Sequence, residues 1–252
     1  MTLNRTHNTS EVVPGIPAEF GDFIVTRRLN ILRRHAGFVN NELACLDAGC
    51  GNGASLLQLA NEFRECHGVD ANPDYIDQVH RAVRDRSVVN CTAATDNLCN
   101  TVVEPESFDR VISFEVIEHL PDELAGVRSL FRVLKPTGRI AVSVPNKWWV
   151  FETHGTWLPL LPWHRVPLVS WLPSPLHSRI AKARIYTKSR ITKLLSQVGF
   201  RVTDVMYVTA PMDRLTFEPL QTLARKSVFG RDTTRIPMLA TSIMVFATKG
   251  TE

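Results

Sequence analysis

The stretch Leu46-Asp47-Ala48-Gly49-Cys50-Gly51-Asn52-Gly53 decides the fold. It closes a short apolar run that starts at Leu43 and reads as a buried strand. Beyond it, Leu56, Leu59, Ala60 and Phe63 recur at helical spacing. Three glycines in five residues between a strand and a helix permit a tight turn, and backbone there can approach a ligand with no Cβ in the way. Nineteen residues after Gly51, Asp70 ends a second short strand, 65–70. A carboxylate in that position can accept hydrogen bonds from both hydroxyls of a ribose.

Working outward, the alternation continues on both sides. Pro73 stands where a helix can begin, and Ile76, Val79 and Val83 mark its apolar face. Strands are expected at 87–94, 108–114 and 139–145, with a helix over 121–134. A helix over 188–198 ends at Gly199, and strands at 200–208 and 242–248 flank a basic, partly helical stretch. Upstream, residues 22–36 read as an amphipathic helix, with most of its arginines (Arg27, Arg28, Arg33, Arg34) expected on the solvent side. Strands separated by helices at this spacing mean βαβ units and a parallel sheet, with ligands at the carboxyl ends of the strands. The expected fold is therefore α/β: a Rossmann-like, doubly wound, seven-stranded and mostly parallel sheet with an antiparallel last strand. An aromatic-rich insertion follows the fifth strand. A single domain over 1–252 divides into an N-terminal helical region (1–42), a ligand-binding half (43–146), a cap insertion (147–186) and a C-terminal helix with closing strands (187–252).

Composition bounds the class. The chain has 252 residues, 44% apolar and 21% charged, which excludes global disorder. Five cysteines without C-x-x-C spacing argue against a disulfide framework and a zinc ribbon. The first twenty residues lack the apolar core of a secretory signal, and no run of 18 apolar residues exists, so a cytoplasmic protein is expected. Charge is split: residues 1–146 hold 14 Lys+Arg and 19 Asp+Glu (net −5), whereas 147–252 hold 15 and 6 (net +9). All five tryptophans (148, 149, 157, 163, 171) follow the break.

Gly49-x-Gly51-x-x-Ala54 also satisfies the dinucleotide fingerprint, so the glycines alone leave a nicotinamide-dependent oxidoreductase open. Asp47 points elsewhere: a carboxylate before the glycines suits a ligand with an ammonium group and repels a pyrophosphate. Two closing strands around a basic stretch also suit an antiparallel end better than a continued parallel half.

LDAGCGNG (46–53) resembles the first motif of the class I S-adenosylmethionine-dependent methyltransferases. GVDANPDYID (68–77) resembles their second strand and acid, SFDRVISFEVIEHLPD (107–122) their fourth strand and loop, and LFRVLKPTGRIAVSVPN (130–146) the following helix, turn and strand. Within that superfamily the pattern is similar to methyltransferase type 11 and ubiquinone-biosynthesis methyltransferases. The resemblance implies S-adenosylmethionine as methyl donor. It implies that Asp47, Gly49, Cys50, Gly51 and Gly53 cradle its methionine part, that Asp70 holds the ribose and that Ala71 lies beside the adenine. It places Thr95 and Asp96 in the adenine loop, and Phe114 and Glu115 under the sulfonium. A counter-charge for the cofactor carboxylate often stands where Arg27 and Arg28 do.

Methyl transfer from a sulfonium is an in-line displacement, so orientation does much of the work and a base is needed only where the acceptor must lose a proton. Glu118 and His119 follow the fourth strand beside the expected methyl group. His119, with an unperturbed pKa of about 6.5, could serve as that base; the alternative is that both residues order the loop and cap the next helix. Glu115, Glu118 and His119 could together hold a divalent metal, but three mixed ligands on one loop are a weak signal and no metal is expected. His154, His164 and His177 are lesser candidates in the aromatic segment.

Residues 147–186 suggest a lid over a small or lipid-like acceptor. Oxygen as the methylated atom rests on the resemblance. Peripheral membrane contact through 147–190 is the second reading, because tryptophan and cations favour that interface. Nucleic acid ranks below both, since no N-P-P-Y or D-P-P-Y tetrad follows the fourth strand. A cofactor-binding domain without turnover, docking on membrane or a partner, completes the alternatives.

Overall fold

The computed structural model describes residues 17–151, 167–173, 176–177, 181, 183–213, 215 and 217–250. Helix α1 (Phe23–Arg34) leads into β1 (Asn40–Ala48), α2 (Ala54–Leu59), β2 (Phe63–Asp70), α3 (Pro73–Asp85) and β3 (Cys91–Thr95). There follow β4 (Phe108–Phe114), α4 (Glu123–Val133), β5 (Leu134–Pro145), α5 (Lys188–Val198) and β6 (Phe200–Thr209). Helix α6 (Glu218–Lys226), β7 (Thr233–Thr234) and β8 (Ala240–Lys249) complete the described elements.

The strands form one sheet in the order β3-β2-β1-β4-β5-β8-β6-β7. β3, β2, β1, β4 and β5 run parallel, β8 is antiparallel to both β5 and β6, and β7 is antiparallel to β6. The expected seven strands become eight among the described residues, and the antiparallel character is not confined to the last of them. The extra strand is two residues long, too short to leave a periodic signal. β6, paired through β8, points the same way as β5, so the connection leaving it emerges at the same edge as the turns after β1 and β4.

Successive strand residues face opposite sides of the sheet, and each side has its own core. Leu46, Val111, Ile140, Val142 and Val245 meet Leu130 and Val133 of α4 and Ile191 and Leu195 of α5. Cys45, Ile112, Ala141 and Phe246 meet Leu29 and Leu32 of α1, Leu56 of α2 and Val79 of α3. Local signals start and stop the helices. Asn72 caps α3 by accepting from the Asp74 N–H at 2.9 Å, with Pro73 in the first turn. Asp122 caps α4 through Leu124 and Ala125, and Gly199 ends α5 at φ +110°.

Three expectations shift. β3 begins at Cys91, because Ser87 turns at φ +52° and Val89 is 96% exposed, so the apolar pair 88–89 belongs to a turn. Helix α2 tightens into a short 3-10 turn, and Phe63 starts β2. Arg27 and Arg28 are buried, at 0% and 7% exposure, where solvent-facing arginines were expected. Each lies on the apolar stripe of α1: Arg27 is four residues from Ile31, Arg28 three from Val25 and four from Leu32. Of the segment 147–186, Trp157, Trp163, His154 and His164 lie outside the described residues. The flanks pack at the end of β5, where Asn146 bridges to Tyr186 and the Trp171 indole N–H donates to the Trp148 carbonyl at 3.2 Å. No helix among the described residues is long and apolar enough to cross a membrane.

Leu130 is fully buried at the centre of the first core. Leu130→Ala is expected to cost about 3 kcal/mol through lost burial and a residual cavity, read as a lower urea midpoint at unchanged slope.

Candidate active site

The glycine loop is built by steric demand. Gly49, Gly51 and Gly53 all have positive φ (85°, 51° and 83°), a region costly for residues with a Cβ. At Gly49 a Cβ would fall 2.2 Å from Val116 Cγ2, and at Gly51 it would fall 2.7 Å from Pro17 Cβ. The turn is thus wedged between the segment before α1 and the turn after β4. Its register is fixed by the Gly49 and Cys50 N–H groups, which both donate to the Val69 carbonyl, at 2.7 and 3.0 Å. Cys50 lies buried under it.

Asp70 locks the same turn from β2. One carboxylate oxygen accepts from the Gly51 N–H at 2.9 Å, and the other accepts from the Asn72 N–H at 2.9 Å. Each oxygen keeps a second lone pair, so a ribose diol can be accepted without breaking either bond. Ala71 beside it is exposed.

Asp47 is 3% exposed, and its Oδ2 has no hydrogen-bond partner. Burial, reinforced by the nearby Asp70 charge, raises its pKa to about 7, against a weaker opposing bond from the Leu56 N–H. A buried carboxyl with an unmet oxygen beside a Cβ-free turn fits a ligand that brings a cation. A pyrophosphate would meet a group that gains negative charge as pH rises.

At the tip of β4, Glu115 sits at φ +58°, a strained conformation that needs its surroundings to hold it. Its N–H donates to the Ser143 carbonyl at 2.9 Å, and its Oε1 accepts from the Ser143 hydroxyl at 2.7 Å and pairs with Arg28 at 3.0 Å. The Arg28 guanidinium also lies 5.9 Å from the centre of the Phe114 ring. Sequence reasoning placed Phe114 and Glu115 together but undervalued Arg28. The available signal was its position on the apolar stripe of α1, where an arginine must find a partner.

Glu118 is buried, and burial together with the Glu115 charge holds its carboxyl well above the usual range. Its carbonyl accepts from the Arg184 N–H at 3.2 Å. His119 follows it, half-buried, in a short 3-10 turn, Ile117–His119. His177 is buried. Among the described residues no three His, Cys, Asp or Glu side chains lie together as a metal site.

At the far side of the loop, Thr95 is exposed and the Asp96 N–H donates to the Asp70 carbonyl at 2.9 Å. The Asp96 carboxylate accepts from the Thr101 hydroxyl and, at 3.3 Å, from the Val102 N–H. It orders its own loop first, and any contact with a base uses what remains.

This geometry agrees with what the chain is similar to. Residues 46–142 match the methyltransferase-domain family. A protein of Mycolicibacterium smegmatis named as a probable S-adenosylmethionine-dependent methyltransferase is 32% identical over 163 residues, covering 65% of this chain and 54% of that one. A ubiquinone biosynthesis O-methyltransferase of Bartonella tribocorum is 32% identical over 111 residues, covering 43% and 44%. The chain spans about half the length of these curated relatives. A solved structure of an S-adenosylmethionine-dependent methyltransferase from Mesorhizobium loti superposes with a TM-score of 0.61 over 88% of this chain and 97% of the other; at 16% identity that likeness concerns the fold. These likenesses support a class I S-adenosylmethionine-dependent methyltransferase, with the family match confined to residues 46–142.

The raised pKa of Asp47 has a sign that can be tested. The fold keeps a proton that the unfolded chain, with a pKa near 3.8, has already lost, so this group's contribution to stability falls as pH rises from about 4 to about 7 and is level above. Asp47→Asn is expected to approach the parent at or below about pH 4 and to exceed it in urea midpoint at pH 8. An equal difference at both pH values would contradict the assignment.

Proposed function

We propose that the chain transfers a methyl group from S-adenosylmethionine to a small or lipid-like acceptor, at oxygen. The observation that carries the reading is the buried, unmatched Asp47 oxygen beside the three-glycine turn, with Asp70 one strand over. Asp47 receives the ammonium of the methionine part, Gly49 to Gly53 leave room for its backbone, and Asp70 takes the ribose hydroxyls. Ala71, Thr95 and Asp96 border the adenine, and Phe114 forms the floor near the sulfur. Arg28 holds Glu115 in its strained conformation, which keeps that floor in place. The name of the first relative supports the donor, and that of the second supports oxygen.

When bound, the donor supplies a methyl group on a sulfonium and leaves as a neutral thioether. The protein's share is to orient the acceptor in line with that bond and keep water away. His119 takes the proton that an acceptor hydroxyl loses as the new O–C bond forms. Glu118, buried and adjacent to His119 in the same short turn, serves as a support for the loop. No step requires a metal.

Calorimetric titration with S-adenosylhomocysteine and, in parallel, NADH tests the donor. The first is expected to bind with micromolar affinity, about −8 kcal/mol, and the second not to bind. Asp70→Ala should weaken the first by about thirtyfold, or ~2 kcal/mol. NADH binding alone would overturn the reading and revive the oxidoreductase alternative. Given an acceptor, His119→Ala should lower kcat at unchanged S-adenosylhomocysteine affinity.

A further inference from the structure

Helix α6 is turned inside out. Gln221 and Arg225, one turn apart, face the protein. Gln221 Nε2 donates to the Met212 and Leu215 carbonyls at 3.0 and 3.1 Å. Arg225 Nε donates to the Pro211 carbonyl at 2.9 Å, its guanidinium pairs with Asp213, and it lies 4.6 Å from the centre of the Phe23 ring. The leucines point the other way: Leu220 is 49% exposed, Leu223 66% and Phe217, just before the helix, 67%. No residue of this helix is buried. A surface helix ordinarily does the opposite, hiding its apolar stripe and wetting its polar one.

The inversion is anchored. Arg27 of α1 donates to the Phe229 and Arg231 carbonyls, fixing the chain just after the helix, while its neighbour Arg28 holds Glu115 at the tip of β4. The connection therefore sits at the carboxyl edge of the sheet, beside the candidate site. Val228, Ile236 and Met238 on the same connection are also exposed. So are Lys226, Arg231 and Arg235, against the exposed acid Glu218; Asp213 and Asp232 are paired, with Arg225 and Arg34.

We propose that α6 and the residues after it, 217–238, dock the protein on an anionic lipid surface. Phe217, Leu220 and Leu223 insert to headgroup depth, and Lys226, Arg231 and Arg235 meet the headgroup phosphates. A convex helix edge with three large apolar side chains suits shallow insertion better than a protein interface, which needs a broader complementary face. A symmetric contact with a second copy would set like charges against one another. The proposal uses a different surface from the aromatic segment and does not depend on which donor or acceptor the site takes.

The test is co-sedimentation of the full chain with vesicles of 30% phosphatidylglycerol in phosphatidylcholine, and with pure phosphatidylcholine. Binding is expected to the first, to fall with salt, and to be weaker on the second. The double variant Leu220→Ser/Leu223→Ser should partition about tenfold less, and Lys226→Glu/Arg235→Glu likewise about tenfold less. Both should keep the parental melting temperature, since the altered side chains are exposed. Absence of binding to the anionic vesicles, or binding that neither variant reduces, would overturn the proposal. So would a dimer that the leucine variant dissolves without any vesicle binding, which would make this face a self-interface.

Discussion

The head of the sheet is organised around a carboxyl group kept in the interior with one oxygen unmatched. Asp47 can be there because β1 is central, flanked by β2 and β4, and because the following turn has no Cβ to shield it. An unpaired buried polar atom costs stability, on the order of 1–3 kcal/mol. The cost is tolerable if a ligand regularly supplies the missing partner. The turn, the Val69 carbonyl that receives two of its N–H groups and the Asp70 carboxylate that receives a third all hold the space next to that oxygen open.

A second constraint couples parts of the chain that are far apart in sequence. Consecutive arginines on α1 reach in different directions: Arg27 to the connection after α6, Arg28 to Glu115 and, at 3.5 Å, to the Ser242 hydroxyl. Burying a guanidinium is costly unless its hydrogen bonds are met. Here the partners are backbone carbonyls, a carboxylate and a hydroxyl, so the same two residues tie the tip of β4 and the connection after α6 to α1.

Much of this could be read in the sequence. The glycine turn, Asp70 and the alternation of strand and helix carry strong periodic and stereochemical signals, and they locate β1, β2, α3, β4, α4, β5, α5, β6 and β8. What escaped has physical reasons. The apolar pair Val88 and Val89 imitates a strand, yet Ser87 turns the chain there. β7 is too short for any period. The arginines of α1 carry charge, which biases a reading toward solvent, although their spacing puts them on the apolar stripe. α6 lies in the stretch expected to be basic and partly helical, but its outward apolar side had no signal, because it depends on Gln221 and Arg225 finding backbone carbonyls to bond. Asp96 follows β3, but Thr101 and Val102 claim its carboxylate, a contact no local pattern foretells.

The central claim is that Asp47 receives a cation from the cofactor. At pH 7 its carboxyl is partly protonated, and an arriving ammonium would lower its pKa and expel that proton. The most direct test is calorimetry of S-adenosylhomocysteine binding at pH 7 in buffers of widely different ionisation enthalpy. The account predicts a measurable fraction of a proton released on binding by the parent, and that release lost in Asp47→Asn together with much of the affinity. Binding by the parent with no buffer dependence, or an unchanged affinity in the variant, would contradict it.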